Sequence, residues 1–194
     1  MSVESQVRWP VVHKLIEILS KRNVQMSAKG DEKTCEYGVN LQDETTDEEI
    51  GQVSGHFYLD ANKRVVFYID TIYVTDPYRG NKYGNLLLLT LLATTSANIF
   101  ATEALTPVSE HIFTKYNFEH IGENKPKRKS SYNSANKLGK NYEYNFITVG
   151  FLNPCNSEVE HFNVTHTYTP SANSNAVEIC YKLREHFFSE LNCI

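Results

Sequence analysis

Arg79-Gly80-Asn81-Lys82-Tyr83-Gly84 stands five residues after Ile72-Tyr73-Val74 and just ahead of Leu86, Leu87, Leu88 and Leu89. A cation and two glycines at the start of an apolar helix are the ingredients of an anion site. Residues 65–73 are rich in Val, Ile, Phe and Tyr, with Asp70 the single charge among them, and read as a strand that Asp76-Pro77 ends. Residues 85–97 hold strong helix formers and no Gly or Pro, so residues 79–84 form the turn into a helix N-terminus. That terminus carries unpaired N–H groups and about half a positive charge, which favour a bound anion. Gly80 and Gly84 permit close backbone approach or positive φ, and Arg79 can add a charge-assisted hydrogen bond. A plain strand-to-helix turn fits the same spacing. Other phosphate motifs fit less well: Gly139-Lys140 is followed by Asn141 and lacks the upstream Gly of a Walker A loop, and the loop has two glycines where a dinucleotide fingerprint has three.

The elements around this loop follow from local pattern. Pro10 with Val11, Val12, Leu15, Ile16 and Leu19 predicts a helix start and an apolar stripe, and Gly30-Asp31 a break. Strands are expected over residues 34–42 and 50–59, with an acidic turn at 43–49. A turn at 60–63 leads into the strand at 65–73, so the three strands form an antiparallel meander. Residues 99–105 form the next strand, parallel to the 65–73 strand because a helix connects them. A short helix over 109–116 and a strand opening at Phe118 follow. Residues 124–141 carry Lys125, Lys127, Arg128, Lys129, Lys137 and Lys140 with no acid and read as a flexible basic excursion. A final strand is expected over 142–151, another over 161–168, and a helix over 176–191 whose Val177, Cys180, Leu183, Phe187 and Leu191 form one stripe. That stripe must pack on the domain or on a partner copy, which makes a homodimer one way to bury it.

The chain's 194 residues suit one domain with appendages, and its 41% hydrophobic and 22% charged content is ordinary for a globular protein. A formal charge of −4 gives no reason to expect a nucleic-acid partner. Cys35, Cys155, Cys180 and Cys193 are scattered with no C-x-x-C pair, and the seven histidines form no ligand-spaced cluster, so no metal site is expected. The cysteines read as reduced thiols of a cytoplasmic protein. Residues 1–10 lack an apolar signal core, and the longest apolar run is far short of a membrane span.

These residues resemble the GNAT superfamily of acetyl-CoA-dependent N-acetyltransferases. Its central motif is a strand ending in Leu-x-Val, a Pro-containing turn, Arg or Gln, then x-x-Gly-x-Gly/Ala and a Leu-rich helix. Ile72, Tyr73, Val74, Pro77, Arg79, Gly84 and the leucines fall on it in order. A second signature, aromatic-x-Lys-x-Gly-Phe, is matched in part by Phe113-Thr114-Lys115-Tyr116-Asn117-Phe118. Lys82 stands where the family prefers its first Gly, Asn117 replaces the Gly of the second signature, and Phe113 sits where many members carry a Tyr proposed as general acid. Lys82 is acceptable if its φ is negative.

The resemblance implies an α/β (α+β, mixed-sheet) GNAT-like domain over residues 1–151, with the basic loop 124–141 inside it and a C-terminal extension over 152–194. It implies acetyl-CoA as cosubstrate, its pantetheine arm laid along Ile72, Tyr73 and Val74 and its pyrophosphate on Arg79, Gly80, Asn81, Lys82, Tyr83 and Gly84. Thr106 falls where relatives carry a pantetheine-binding Asn. Asp70 shares a strand face with Ile72 and Val74 and, by resemblance to polyamine-type acetyltransferases, helps to deprotonate the amine. If unpaired among apolar neighbours, its raised pKa would suit a base; a structural salt bridge is the alternative. Tyr116 is the nearest candidate acid, although a thiolate can also leave without one. The acceptor would be a primary amine of a small molecule or protein. The alternative function is a GNAT-fold module that binds acyl-CoA or a partner without turnover.

Overall fold

The structure, a computed structural model, describes residues 3–122, 127–129, 141–143, 146–171 and 175–192. Its helices are α1 (Val3–Ser20), α2 (Tyr83–Thr94), α3 (Pro107–Lys115) and α4 (Asn175–His186). The first six strands are β1 (Val24–Asp31), β2 (Glu36–Asp43), β3 (Glu49–Leu59), β4 (Val65–Val74), β5 (Ile99–Thr102) and β6 (Glu119–His120). The rest are β7 (Lys127–Lys129), β8 (Asn141–Glu143), β9 (Ile147–Leu152), β10 (Val159–Val164) and β11 (His166–Tyr168). The chain divides into a first unit of residues 1–56, 70–97 and 170–194 and a second of residues 57–69 and 98–169, with β3 and β4 each contributing to both.

In the first unit, β1, β2 and β3 pair antiparallel, Val24 opposite Asp43 and Glu36 opposite His56 at the ends of the two registers. Val39, Leu41 and Val53 are fully buried, while the alternating Gly38, Asn40, Gln52 and Ser54 are half-exposed. The apolar face therefore lies under helices and the polar face does not, as a period of two requires. Helix α2 packs on α1, α4 and β2, and every residue from Leu86 to Ala93 is buried. A helix apolar on all sides belongs in a core. The stripe of α4 and the turn after it, with Ile179, Cys180, Leu183, Phe188 and Leu191 buried, packs on α1 and α2 of the same chain. The stripe thus packs on the domain itself, one of the two ways expected to bury it.

In the second unit, β4 and β5 run parallel, from Val66 opposite Ile99 to Ile69 opposite Thr102. β11 lies antiparallel between β5 and β6, and the β9–β10 hairpin joins β3 at Leu59 opposite Leu152. Tyr58, Val66, Tyr68, Ala101, Phe151 and Val164 form a core with Phe162 packed against it. The rings of Tyr68 and Phe162 stack with centroids 4.5 Å apart. Phe67 and Phe100 are also fully buried. Offset aromatic pairs of this kind add roughly 0.5–1.5 kcal/mol each beyond their burial.

The order expected from the sequence is present: antiparallel strands, α2, parallel β5, α3, then β6. Four local expectations differ. Helix α1 begins at Val3, with Pro10 inside it rather than at its start; the ring removes one N–H from the ladder, a loss an otherwise continuous helix can absorb. Strand β1 was not expected, because only Val24 and Met26 of its eight residues are buried and the rest of this edge strand reads as polar loop. The tail after residue 152 supplies β10, β11 and α4, so it contributes to both units. Cys35 and Cys155 are disulfide-bonded, against the expectation of reduced thiols, while Cys180 is free and buried. Scattered cysteines leave no spacing signature, and their bonding removes the support the thiols gave to a cytoplasmic location. Most of the basic excursion 124–141 lies outside the described residues; β7 falls within it and pairs with β8, which starts at its last residue. No described helix is long and apolar enough to cross a membrane.

Candidate active site

β4 pairs with β5 only as far as Ile69, and the strand runs on through Asp70, Thr71, Ile72, Tyr73 and Val74. The hydroxyl of Thr75 then donates to the Glu49 and Ile50 carbonyls, tying the strand end to β3. A short 3-10 turn, Asp76–Tyr78, reverses the chain with Pro77 near its start. Arg79 donates through Nε to the Val74 carbonyl at 3.1 Å and pairs with Asp76 at 2.8 Å. Both of its partners are local and its side chain is largely exposed, so the guanidinium is held at the mouth of the loop.

Gly80 has φ +83° and Lys82 φ +63°, both left-handed. Lys82 is the N-cap of α2, and its side chain makes no capping hydrogen bond. The first-turn N–H groups of α2 thus meet a residue that offers them no acceptor, which is the condition for receiving an anion there. The condition of negative φ at Lys82 is not met. The backbone keeps the conformation a glycine would take, and a non-glycine residue bears it at a cost of about 1–2 kcal/mol. Asn117, the other position where the sequence departs from a family glycine, is left-handed as well, at φ +66°. Both departures change the residue and keep the turn.

Gly51 on β3 sits beneath this segment. A Cβ there would collide with the Tyr73 carbonyl oxygen and lie 3.1 Å from the Val74 Cα and 3.2 Å from Leu87 Cδ1. The bare backbone at residue 51 therefore fixes how closely the end of β4 approaches α2 and β3.

The acidic turn expected to be solvated is bonded to the loop's tyrosines. Tyr73 donates to Glu49, and that hydrogen bond, aided by burial, raises the Tyr73 pKa. Tyr78 donates to Asp43 at 3.2 Å and to Glu48 at 3.4 Å. Asp43 also accepts from the backbone of Thr45 and Thr46, which lowers its pKa. A row of carboxylates is thereby held beside the loop, where a cationic amine would be attracted.

Asp70 is not isolated. Its Oδ2 lies 2.5 Å from Nδ1 of His56 on β3, and both side chains are about one-third exposed. The condition for a raised pKa, an unpaired carboxyl among apolar neighbours, is not met. No local spacing marks His56, because its partner lies 14 residues away along the chain. The available signal was hairpin arithmetic: counting outward from the turn closed by Asp60 and Arg64 places residue 56 nearly opposite residues 68–70.

Thr106 and Tyr116 belong to the second unit. Thr106 caps α3 in a capping box with Ser109. The Tyr116 hydroxyl is buried with no partner among the described residues, and burial pushes its pKa up to about 12. A proton held that firmly passes to a thiolate, ordinarily near 8.5, only uphill. Phe113 is buried and has no proton to give. Among the described residues no cluster of metal-ligating side chains is present.

No protein-family model matches the sequence, and no curated protein matches it. Solved structures do. Arabidopsis thaliana NAA60 in complex with a bisubstrate analogue is 11% identical, over 84% of this chain and 96% of that one, with a TM-score of 0.46. A Trypanosoma brucei acetyltransferase is 13% identical, over 59% of this chain and 75% of its own, with a TM-score of 0.41. The NatC complex bound to Gag peptide and CoA is 15% identical, over 73% and 91%, with a TM-score of 0.39. This chain's own sheet is mixed: among the described residues β4 and β5 run parallel and are joined through a helix.

Proposed function

We propose that this chain is an acetyl-CoA-dependent N-acetyltransferase of the GNAT kind, acting on a primary amine of a small molecule or a protein. The observation that carries the reading is the start of α2, an uncapped helix N-terminus entered through left-handed backbone at Gly80 and Lys82. Arg79, Gly80, Asn81, Lys82, Tyr83 and Gly84 would hold the coenzyme's pyrophosphate there. Ile72, Tyr73 and Val74 would bond its pantetheine arm as an added strand, and their N–H groups would steady the developing oxyanion. Asp70 assists removal of the ammonium proton, without which the amine has no lone pair to attack with. The carboxylates bonded to Tyr73 and Tyr78 draw the cationic amine towards the loop.

A second reading, a module that binds acyl-CoA without turnover, is favoured by one feature: Phe113 and Tyr116 offer no ready proton donor. One experiment separates the two. Coenzyme A at ~100 times its Kd should stabilise the protein by roughly 2.7 kcal/mol, read as a rise in Tm, and acetyl-CoA with a panel of primary amines should release free thiol. Binding with no turnover of any amine favours the module. No binding rejects both.

A further inference from the structure

We propose that His56 is the catalytic base of this site, accepting the amine's proton on Nε2, and that Asp70 is its positioning residue. The inference rests on the acetyltransferase reading above and names a different atom as the proton acceptor. The Asp70 carboxylate against Nδ1, at 2.5 Å, selects the neutral tautomer that carries its hydrogen on Nδ1. The remaining lone pair is then on Nε2. This is the logic of an acid-oriented imidazole, in which the carboxylate fixes the ring and the ring moves the proton.

Placement supports the same division. Asp70 shares a strand face with Ile72 and Val74, so the imidazole bonded to it stands roughly 7 Å along the strand from Ile72, about the room an amine needs. That face of β3 is polar from residue 52 to 56: Gln52, Ser54 and His56 alternate with buried Val53 and Gly55, and Gln52 donates to Ser54. Among the described residues, the charged groups facing His56 include Asp70 from β4 and Glu36, directly opposite on β2. Both are acidic. A carboxylate already committed to Nδ1 is a poorer acceptor than the ring it orients.

The step balances as follows. The ammonium gives one proton to Nε2, and the freed lone pair forms the N–C bond to the thioester carbonyl. The C–S bond breaks with its electron pair going to sulfur, the nitrogen's second proton leaves on the thiolate, and the proton on His56 passes to water. The products are the amide, the free thiol and one proton.

The test compares His56→Gln, His56→Ala and Asp70→Ala with the parent, after calorimetry has shown that all four bind coenzyme A with equal affinity. His56→Gln should lower kcat/KM for an amine by about 10²–10⁴, with the loss shrinking as pH rises and free amine accumulates. Millimolar imidazole should restore several-fold activity to His56→Ala and none to Asp70→Ala. Nitrogen NMR of the parent should show neutral His56 protonated on Nδ1, a preference that Asp70→Ala abolishes. His56→Gln working at the parent rate, Asp70→Ala losing more than His56→Gln, or a neutral ring protonated on Nε2 would each overturn the proposal. The tautomer measurement needs no amine, so it judges the pair even if the parent turns over none. Absence of coenzyme binding in the parent instead rejects the acetyltransferase reading.

Discussion

In the second unit, Tyr68 stacks on Phe162 and Phe100 lies 6.1 Å from both Phe67 and Tyr168, ring against ring with no exposed surface at Phe67 or Phe100. At the loop end of the first unit the side chains are polar and half-exposed, Gly80 and Lys82 are left-handed, and a helix terminus goes uncapped. One region spends its residues on contact and the other leaves groups without the partners that would stabilise them most. Stability concentrated in the aromatic interior allows the loop to carry left-handed backbone and unpaired donors, which are the properties that let it receive something.

The sharpest way to break the contrast is to remove a ring. Phe100→Ala should cost about 3–5 kcal/mol, because a fully buried Phe leaves a cavity that its neighbours cannot close; chemical denaturation measures it. A polar group inside the second unit should reveal itself by pH. His166 is buried, its Nδ1 sits 2.8 Å from the Thr165 hydroxyl, and burial, with His120 nearby, lowers its pKa to about 4. The folded pKa is below the unfolded one, so the protein is unaffected above ~6.5 and loses stability as pH falls from there to about 4. The full loss is about 3 kcal/mol. His166→Phe should flatten that part of the stability profile, and an unchanged slope would show that other groups cause it.

At the loop, Gly84→Glu should leave the fold intact, since an acid in the first turn suits the helix dipole. It should weaken coenzyme A by at least about 100-fold by placing a carboxylate in the proposed anion site. Unchanged affinity by calorimetry would reject the loop assignment. The smallest effect is expected for Lys82→Gly, which relieves the left-handed residue and should raise stability by up to about 1 kcal/mol. If it lowers stability instead, the lysine side chain is doing more there than the backbone shows.

The strand, loop and helix of the site were legible because each rests on local chemistry: β-branched runs, a Pro break, two glycines, a leucine helix. The parallel pairing of β4 and β5 followed from the helix between them. What the sequence hid was what depends on register. His56 meets Asp70 only through the pairing of β3 with β4, and the acidic turn meets Tyr73 and Tyr78 only after the strand ends are placed. Strand β1 was hidden for another reason: as an edge, it needs only two apolar residues to be held. The bonding of Cys35 and Cys155 left no local trace at all.

Gly51 carries no functional group, yet the floor it forms under Tyr73 and Val74 gives it control over the segment proposed to hold the thioester. One added methyl at that position is a wedge: it lifts the strand end while every reacting atom keeps its identity. The rate of the proposed transfer can therefore be retuned from a position without chemistry of its own, by displacement alone.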